Sequence, residues 1–317
     1  MDDIEIKYSV GALLYSPALN SKLADAVISG RLGDRYSLAI CLEDTVSDDM
    51  VGAAEEQCAQ TIRTIRSSKD KAYIPKIFIR VREPSQIRRM YDLTDGSDII
   101  TGFIFPKYTI DNAYAYNDAL TDINSISSHK LWMMPILESR DMIPLTDRVR
   151  ILSEIRASID DMRDYVLNVR VGGNDFSNEF SARRHYDETI YDIHPIASIL
   201  TDILTTFARD YVVSGPVWEF FSSDNDEWKT GLRRELSLDM LNGFIGKTVI
   251  HPKQIPVVNE MLRVTRKDLE DARSILNWDS SGLQVGKSFG GERMNEVRTH
   301  YNWARKIVLL SEIYGIV

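Results

Sequence analysis

Short runs rich in β-forming residues return along this chain at intervals of roughly 25–40 residues: Gly11–Ser16, Tyr36–Asp44, Ile74–Arg82, Ile99–Lys107, Leu131–Glu138, Tyr165–Asp175, Asp210–Val217 and Phe244–His251. Several are nearly continuous in apolar residues, as strands of a parallel sheet covered on both faces are. Between most of them the apolar period lengthens to that of a helix. Val51, Ala54, Cys58, Ile62 and Ile65 form one stripe, and Leu145, Val149, Leu152, Ile155 and Ile159 form another behind Pro144. Strand–helix alternation requires a parallel sheet, and eight repeats favour closure into a (β/α)8 barrel over an open doubly wound sheet. No GxGxxG or GxxxxGK[ST] loop follows the first run, and the Gly172-Gly173 pair is too short to replace one.

Past the eighth run the pattern changes. Ile255–Asn277 reads as one helix or two that close the barrel, giving a barrel domain over residues 1–277. Residues 278–317 form a C-terminal helical extension: a Gly- and Ser-rich loop, Asp279–Glu292, and a last helix, Glu296–Tyr314. Such a tail can cover the barrel mouth, contact a second subunit, or simply cap the barrel.

Composition narrows the partners. Lys and Arg total 38 against 47 Asp and Glu, a net charge of −9, and no basic stripe is present to neutralise phosphates, so nucleic acid is not an expected partner. No apolar run reaches the ~18–20 residues of a membrane span, and the first ten residues lack a secretory pattern. Two cysteines, Cys41 and Cys58, cannot build a disulfide framework and read as buried thiols. The expectation is a cytoplasmic protein.

Charge falls on the strand ends with a regularity that scattered surface residues would not have. The second run ends in Glu43 and Asp44, the third in Arg80 and Arg82, the fourth in Lys107, the fifth in Glu138 and the sixth in Asp175. In a closed parallel barrel these ends converge on the mouth where chemistry is placed. Glu138 and Asp175 lie on adjacent strands, ~4.8 Å apart, and could share one hard cation such as Mg2+; they could equally cap helices or face water. Zinc is disfavoured, since the five histidines are scattered. Arg80 follows a buried strand and needs an anion: a substrate oxygen, or an internal ion pair with Glu43 or Asp44. Arg170, inside the sixth run, faces either the barrel interior or a helix layer. Arg183-Arg184-His185 reads as a solvated loop, with anion binding the alternative, and His251 as a structural hydrogen-bonding group.

The segments in order resemble the HpcH/HpaI aldolase and citrate lyase β-subunit superfamily of carbon–carbon lyases. LEDTV at Leu42–Val46, IRVRE at Ile79–Glu83, FPK at Phe105–Lys107, MPILES at Met134–Ser139, VGGNDF at Val171–Phe176 and GFIGKTVIHPKQI at Gly243–Ile255 carry the likeness. Further segments, including SARRH and SGPVWEFF, are similar to a less characterised branch associated with stress-response operons. The resemblance implies a TIM barrel, usually a homo-oligomer. It implies Mg2+ ligands at Glu138 and Asp175, with Mn2+ the alternative ion. It also implies a substrate-binding Arg80, and Glu43 and Asp44 orienting the reacting hydroxyl or a water. Lys107, Gly173, Asn174, Pro216 and Val217 fall where the substrate would be held.

Three departures stand out: Ser16-Pro17-Ala18 where the family's first strand ends in Pro-Gly, Asn174 in place of an acidic residue, and Ser139 in place of Thr. They touch the pocket walls and leave coenzyme A thioester recognition open. The expected reaction is aldol- or Claisen-type cleavage or formation of a carbon–carbon bond in a small hydroxy- or oxo-carboxylate, free or carried as a thioester. Thioester hydrolysis or condensation on the same site, and a non-catalytic binding barrel, are the competing readings.

Overall fold

A computed structural model describes residues 3–68, 73–278 and 282–317 of the chain. Eight parallel strands form one sheet: β1 (Ala12–Pro17), β2 (Tyr36–Cys41), β3 (Lys76–Arg80), β4 (Ile100–Phe105), β5 (Trp132–Leu137), β6 (Val169–Val171), β7 (Val213–Ser214) and β8 (Lys247–Val249). Their spatial order is β7-β6-β5-β4-β3-β2-β1-β8. A parallel bridge between Gly215 and Lys247 joins the two ends of this order. Ile245 N donates to Val213 O at 2.8 Å and Gly215 N to Gly246 O at 3.0 Å across the same seam. All eight expected runs contain a strand, and the expected barrel is the fold.

Every residue of β2 and β5 is buried, which accounts for their unbroken apolar character. Helix Val51–Arg66 buries Ala54, Cys58, Ile62 and Ile65 as its stripe requires, and both cysteines are buried free thiols. Helix Leu145–Asp161 departs from expectation at its start: Leu152, Ile155 and Ile159 are buried, but Leu145 is 73% and Val149 75% exposed. The inward position there is taken by Arg148, whose Nε donates to Met142 O at 2.6 Å and whose Nη1 pairs with Asp202 Oδ2 at 2.8 Å. A buried guanidinium with full hydrogen bonding displaces the apolar stripe by a fraction of a turn.

The chain divides into two compact units, Val10–Val258 and a second made of Met1–Ser9 with Asn259–Val317. Within the second unit Arg266–Leu276 packs with the last helix, Val297–Tyr314, through Ala272, Ile275 and Ala304. Ile255–Asn277 resolves into two helices, Ile255–Met261 and Arg266–Leu276. The expected loop at 279–292 is only partly a loop. Its first three positions lie outside the described residues, while β9 (Val285–Lys287) pairs antiparallel with β10 (Met294–Glu296). Asp271 supplies what the Gly- and Ser-rich segment lacks, accepting from Phe289 N at 2.6 Å, Arg293 Nε at 3.0 Å and Asn295 Nδ2 at 3.0 Å. Among the described residues no helix is long and apolar enough to cross a membrane.

Candidate active site

The ends of β2 to β6 bring the expected charges together. Arg80, the last residue of β3, is buried, and its Nη2 lies 2.7 Å from Glu43 Oε2, 3.1 Å from Asp44 Oδ2 and 3.3 Å from Glu138 Oε1. The internal ion pair left open by the sequence is therefore formed. Burial opposes the Arg80 charge, but Tyr15, Glu138 and Glu43 outweigh it and hold the guanidinium protonated.

Lys107 follows β4 in a left-handed conformation, φ 46°, a region that a side chain with a Cβ seldom occupies. That turn aims its N–H at Glu138 Oε1, 2.9 Å away, while its Nζ pairs with Glu43 and lies 3.0 Å from Asp44 Oδ1. One strained residue thus braces three carboxylates at once.

Glu138 and Asp175 converge over Gly172. A Cβ placed on Gly172 would lie 2.3 Å from Glu138 Oε2 and 3.1 Å from Asp175 Oδ2, so both carboxylates crowd the same point. Glycine is needed here for close approach. Burial pushes the Glu138 carboxyl up to about 8, with Arg80 opposing and Asp175 adding to the rise. Burial also raises Asp175, against a hydrogen bond with Glu138. Asp44 behaves oppositely: burial raises it, but hydrogen bonds with Glu43 and Lys107 and the Arg80 charge outweigh this and hold it below the usual carboxylate range. Glu43 is pushed up by burial despite Arg80.

The donor set suits Mg2+. Two carboxylates meet in a cradle that a methyl group would fill, beside an open cavity, and Mg2+ binds through one or two carboxylates while keeping other positions for water and substrate. Among the described residues no group of three or more His, Cys, Asp and Glu side chains is placed to hold a metal, as a zinc site would need.

A cavity of about 190 Å3 opens beside this pair. Of the expected residues, Asp44, Arg80, Glu138, Gly173, Asn174, Asp175 and Val217 line it. Glu43 and Lys107 do not line it but pair with Arg80 and Asp44, which do, and Pro216 packs on Gly173, where a Cβ would come within 2.8 Å of the proline ring. Tyr15, Arg170, Gly172, Thr248 and Ile250 also line the cavity and were not assigned from sequence. Arg170 carried a signal, a charge inside an apolar strand; Thr248 and Ile250 carried none.

Other expectations resolve away from the cavity. Arg184 is 3% exposed, not solvated: its Nε lies 3.3 Å from Glu235 Oε2, and its guanidinium covers the Trp218 ring at 5.2 Å. A Glu235 carboxylate buried on the neighbouring helix draws the arginine inward. Arg183 stays exposed beside Glu219. His251 accepts from Lys253 N at 3.1 Å and caps a helical turn, the structural role expected.

A family model described as C-C bond lyase of the TIM-barrel fold matches residues 4–316. No curated protein sequence matches the chain. CitE of Mycobacterium tuberculosis, in complex with magnesium, acetoacetate and coenzyme A, matches with TM-score 0.62 at 17% identity, over 96% of this chain and 99% of that one. The citrate lyase β subunit of M. tuberculosis with oxaloacetate and magnesium matches with TM-score 0.54 at 16% identity, over 81% and 98%. RipC of Yersinia pestis matches with TM-score 0.55 at 16% identity, over 80% and 95%. Likeness at these identities is likeness of fold.

Proposed function

The chain belongs to the carbon–carbon bond lyases of the TIM-barrel fold, and from that membership we propose that it is a Mg2+-dependent lyase. It cleaves or forms a carbon–carbon bond in a small hydroxy- or oxo-carboxylate through an enolate. The observation that carries this reading is the meeting of the Glu138 and Asp175 carboxylates over Gly172, with the Arg80 guanidinium on the other oxygen of Glu138.

Glu138 and Asp175 hold the ion, which when bound supplies Lewis-acid polarisation of the substrate oxygens. Arg80 sets a fixed positive charge beside the oxygen that becomes negative as the bond breaks. Its orientation is set before substrate arrives by Glu43 and Asp44. Asp44 lines the cavity and is held ionised, so it accepts the hydroxyl proton in the cleavage direction. The electron pair of the broken bond passes to the enolate, and in the reverse direction Asp44 returns the proton. Glu43 does not line the cavity; it positions Arg80 and Lys107. Gly173, Asn174 and Val217 form the substrate wall, braced by Pro216. Two M. tuberculosis neighbours carry small oxo-acids and magnesium, which agrees with this substrate class.

The test is calorimetric titration of Mg2+ into the wild type, Glu138→Ala and Asp175→Ala, with folding followed by circular dichroism. Both variants are expected to fold and to lose Mg2+ binding; full affinity in either overturns the assignment. Mg2+-dependent turnover of free oxo-acids and of acyl-coenzyme A thioesters, assayed in parallel, separates lyase from thioesterase chemistry.

A further inference from the structure

Two arginines line the cavity, and their electrostatic situations are opposite. Arg80 meets three carboxylates. Arg170, deeper in the barrel on β6, is 1% exposed and, among the described residues, forms no ion pair. Its Nη2 donates to Thr248 Oγ1 at 2.7 Å and its Nη1 to Asn168 Oδ1 at 3.3 Å, both neutral partners. Tyr15 also hydrogen-bonds Arg170 but does not supply the missing charge, because burial raises its hydroxyl above the ordinary phenol range and keeps it neutral. Among the described residues Arg170 Nε has no hydrogen-bond partner. The same is true of Asn168 Nδ2, two residues away on the same face of the strand, and of Ser214 Oγ, which pairs in register with Arg170 across β6 and β7.

A buried cation without a counter-charge is destabilising, and unpartnered polar groups beside it add to the cost. Such a cluster persists where a ligand completes it. The cavity that Arg170 reaches is the one that holds the Glu138–Asp175 pair. At about 190 Å3 it is smaller than the ~300 Å3 at which pockets for drug-sized ligands begin.

We propose that Arg170, aided by Thr248, binds a second carboxylate of the substrate and makes this enzyme selective for small dicarboxylates over the matching monocarboxylates. The planar guanidinium is suited to a carboxylate, and Thr248 holds its Nη2 side in place. This rests on the lyase reading above for what happens at the other end of the substrate.

Oxaloacetate and pyruvate differ by one carboxylate and serve as probes. Binding of each to the wild type, Arg170→Met and Arg170→Lys is measured by calorimetry, with Mg2+ and again with a chelator. The wild type is expected to bind oxaloacetate at least tenfold more tightly than pyruvate. Arg170→Met is expected to erase that preference by weakening oxaloacetate alone, with Mg2+ affinity unchanged, and Arg170→Lys to keep part of it. Equal affinities in the wild type, or a preference that survives in Arg170→Met, overturn the proposal. So does a loss of Mg2+ affinity in Arg170→Met as large as that of Asp175→Ala, which would mark the arginine as structural. Should Arg170→Met fail to fold, a full loss of preference in a folded Arg170→Lys supports fork recognition and an undiminished one overturns it. If the wild type binds no Mg2+ yet keeps the preference in chelator, the metal reading fails and the Arg170 assignment stands.

Discussion

Gly172 and Glu138 stand so close that a Cβ on the glycine would lie 2.3 Å from both the Cβ and the Oε2 of the glutamate. The β6 backbone can approach the carboxylate from β5 only because the intervening residue has no side chain. Gly172→Ala is therefore expected to push Glu138 away from Asp175. Overpacking of this kind costs about 1–3 kcal/mol, readable by urea denaturation. Mg2+ affinity should fall at least tenfold in calorimetry.

The raised Glu138 carboxyl fixes the pH dependence of the site. Its folded-state value of about 8 lies above the ordinary 4.5, so the metal-free protein takes up a proton there on folding. Stability from this group is complete below pH 4.5 and is lost as pH rises through about 8. Glu138→Gln should flatten that loss in thermal melts run with chelator. A cation competes with the same proton, so Mg2+ affinity should climb up to about tenfold per pH unit below pH 8 and level off above it. Calorimetry in buffers of different ionisation enthalpy counts the released proton.

Arg80 neutralises buried carboxylates as well as facing the cavity. Arg80→Met leaves Glu138 without its counter-charge and Glu43 with Lys107 alone, and should cost about 3–5 kcal/mol in denaturant titrations. Turnover should fall about 10²–10³-fold. Arg80→Lys should regain much of the stability but not the turnover, because Nη2 alone meets the three carboxylates and an ammonium lacks the rest of the planar fork that faces a substrate oxygen.

Lys247 and Arg170 make a contrasting pair of buried cations. Lys247 is fully buried with its Nζ 2.9 Å from Glu235 Oε1 and 2.7 Å from Asp239 Oδ2. Lys247→Met should destabilise by about 3–5 kcal/mol, since two buried carboxylates lose their partner. Arg170→Met strands no carboxylate, only the neutral oxygens of Asn168 and Thr248, and should cost less in the ligand-free protein, about 1–3 kcal/mol at most. Urea denaturation of the two variants side by side reads the larger loss in Lys247→Met.

Much of the frame was legible because it is written in local periods. The switch between apolar runs and helical spacing marked all eight strands, and the charges at their ends marked the mouth. The C-terminal region was less legible, because Asp271 on one helix supplies the hydrogen bonds that order a glycine-rich segment beyond it. Arg184 was misread for the same reason: its partner Glu235 is 51 residues away in the chain.

By itself the sequence determined the parallel barrel and the set of charges offered at one rim, since both follow from spacing along a single strand or helix. Only the tertiary structure decided how those charges are shared: Arg80 saturated by Glu43, Asp44 and Glu138, Arg170 left with neutral neighbours, and Gly172 giving two carboxylates one point to meet. Partnership between charges depends on distance in space and on exclusion from water. Both are set by the closure of the barrel, which brings together residues from strands far apart in the chain.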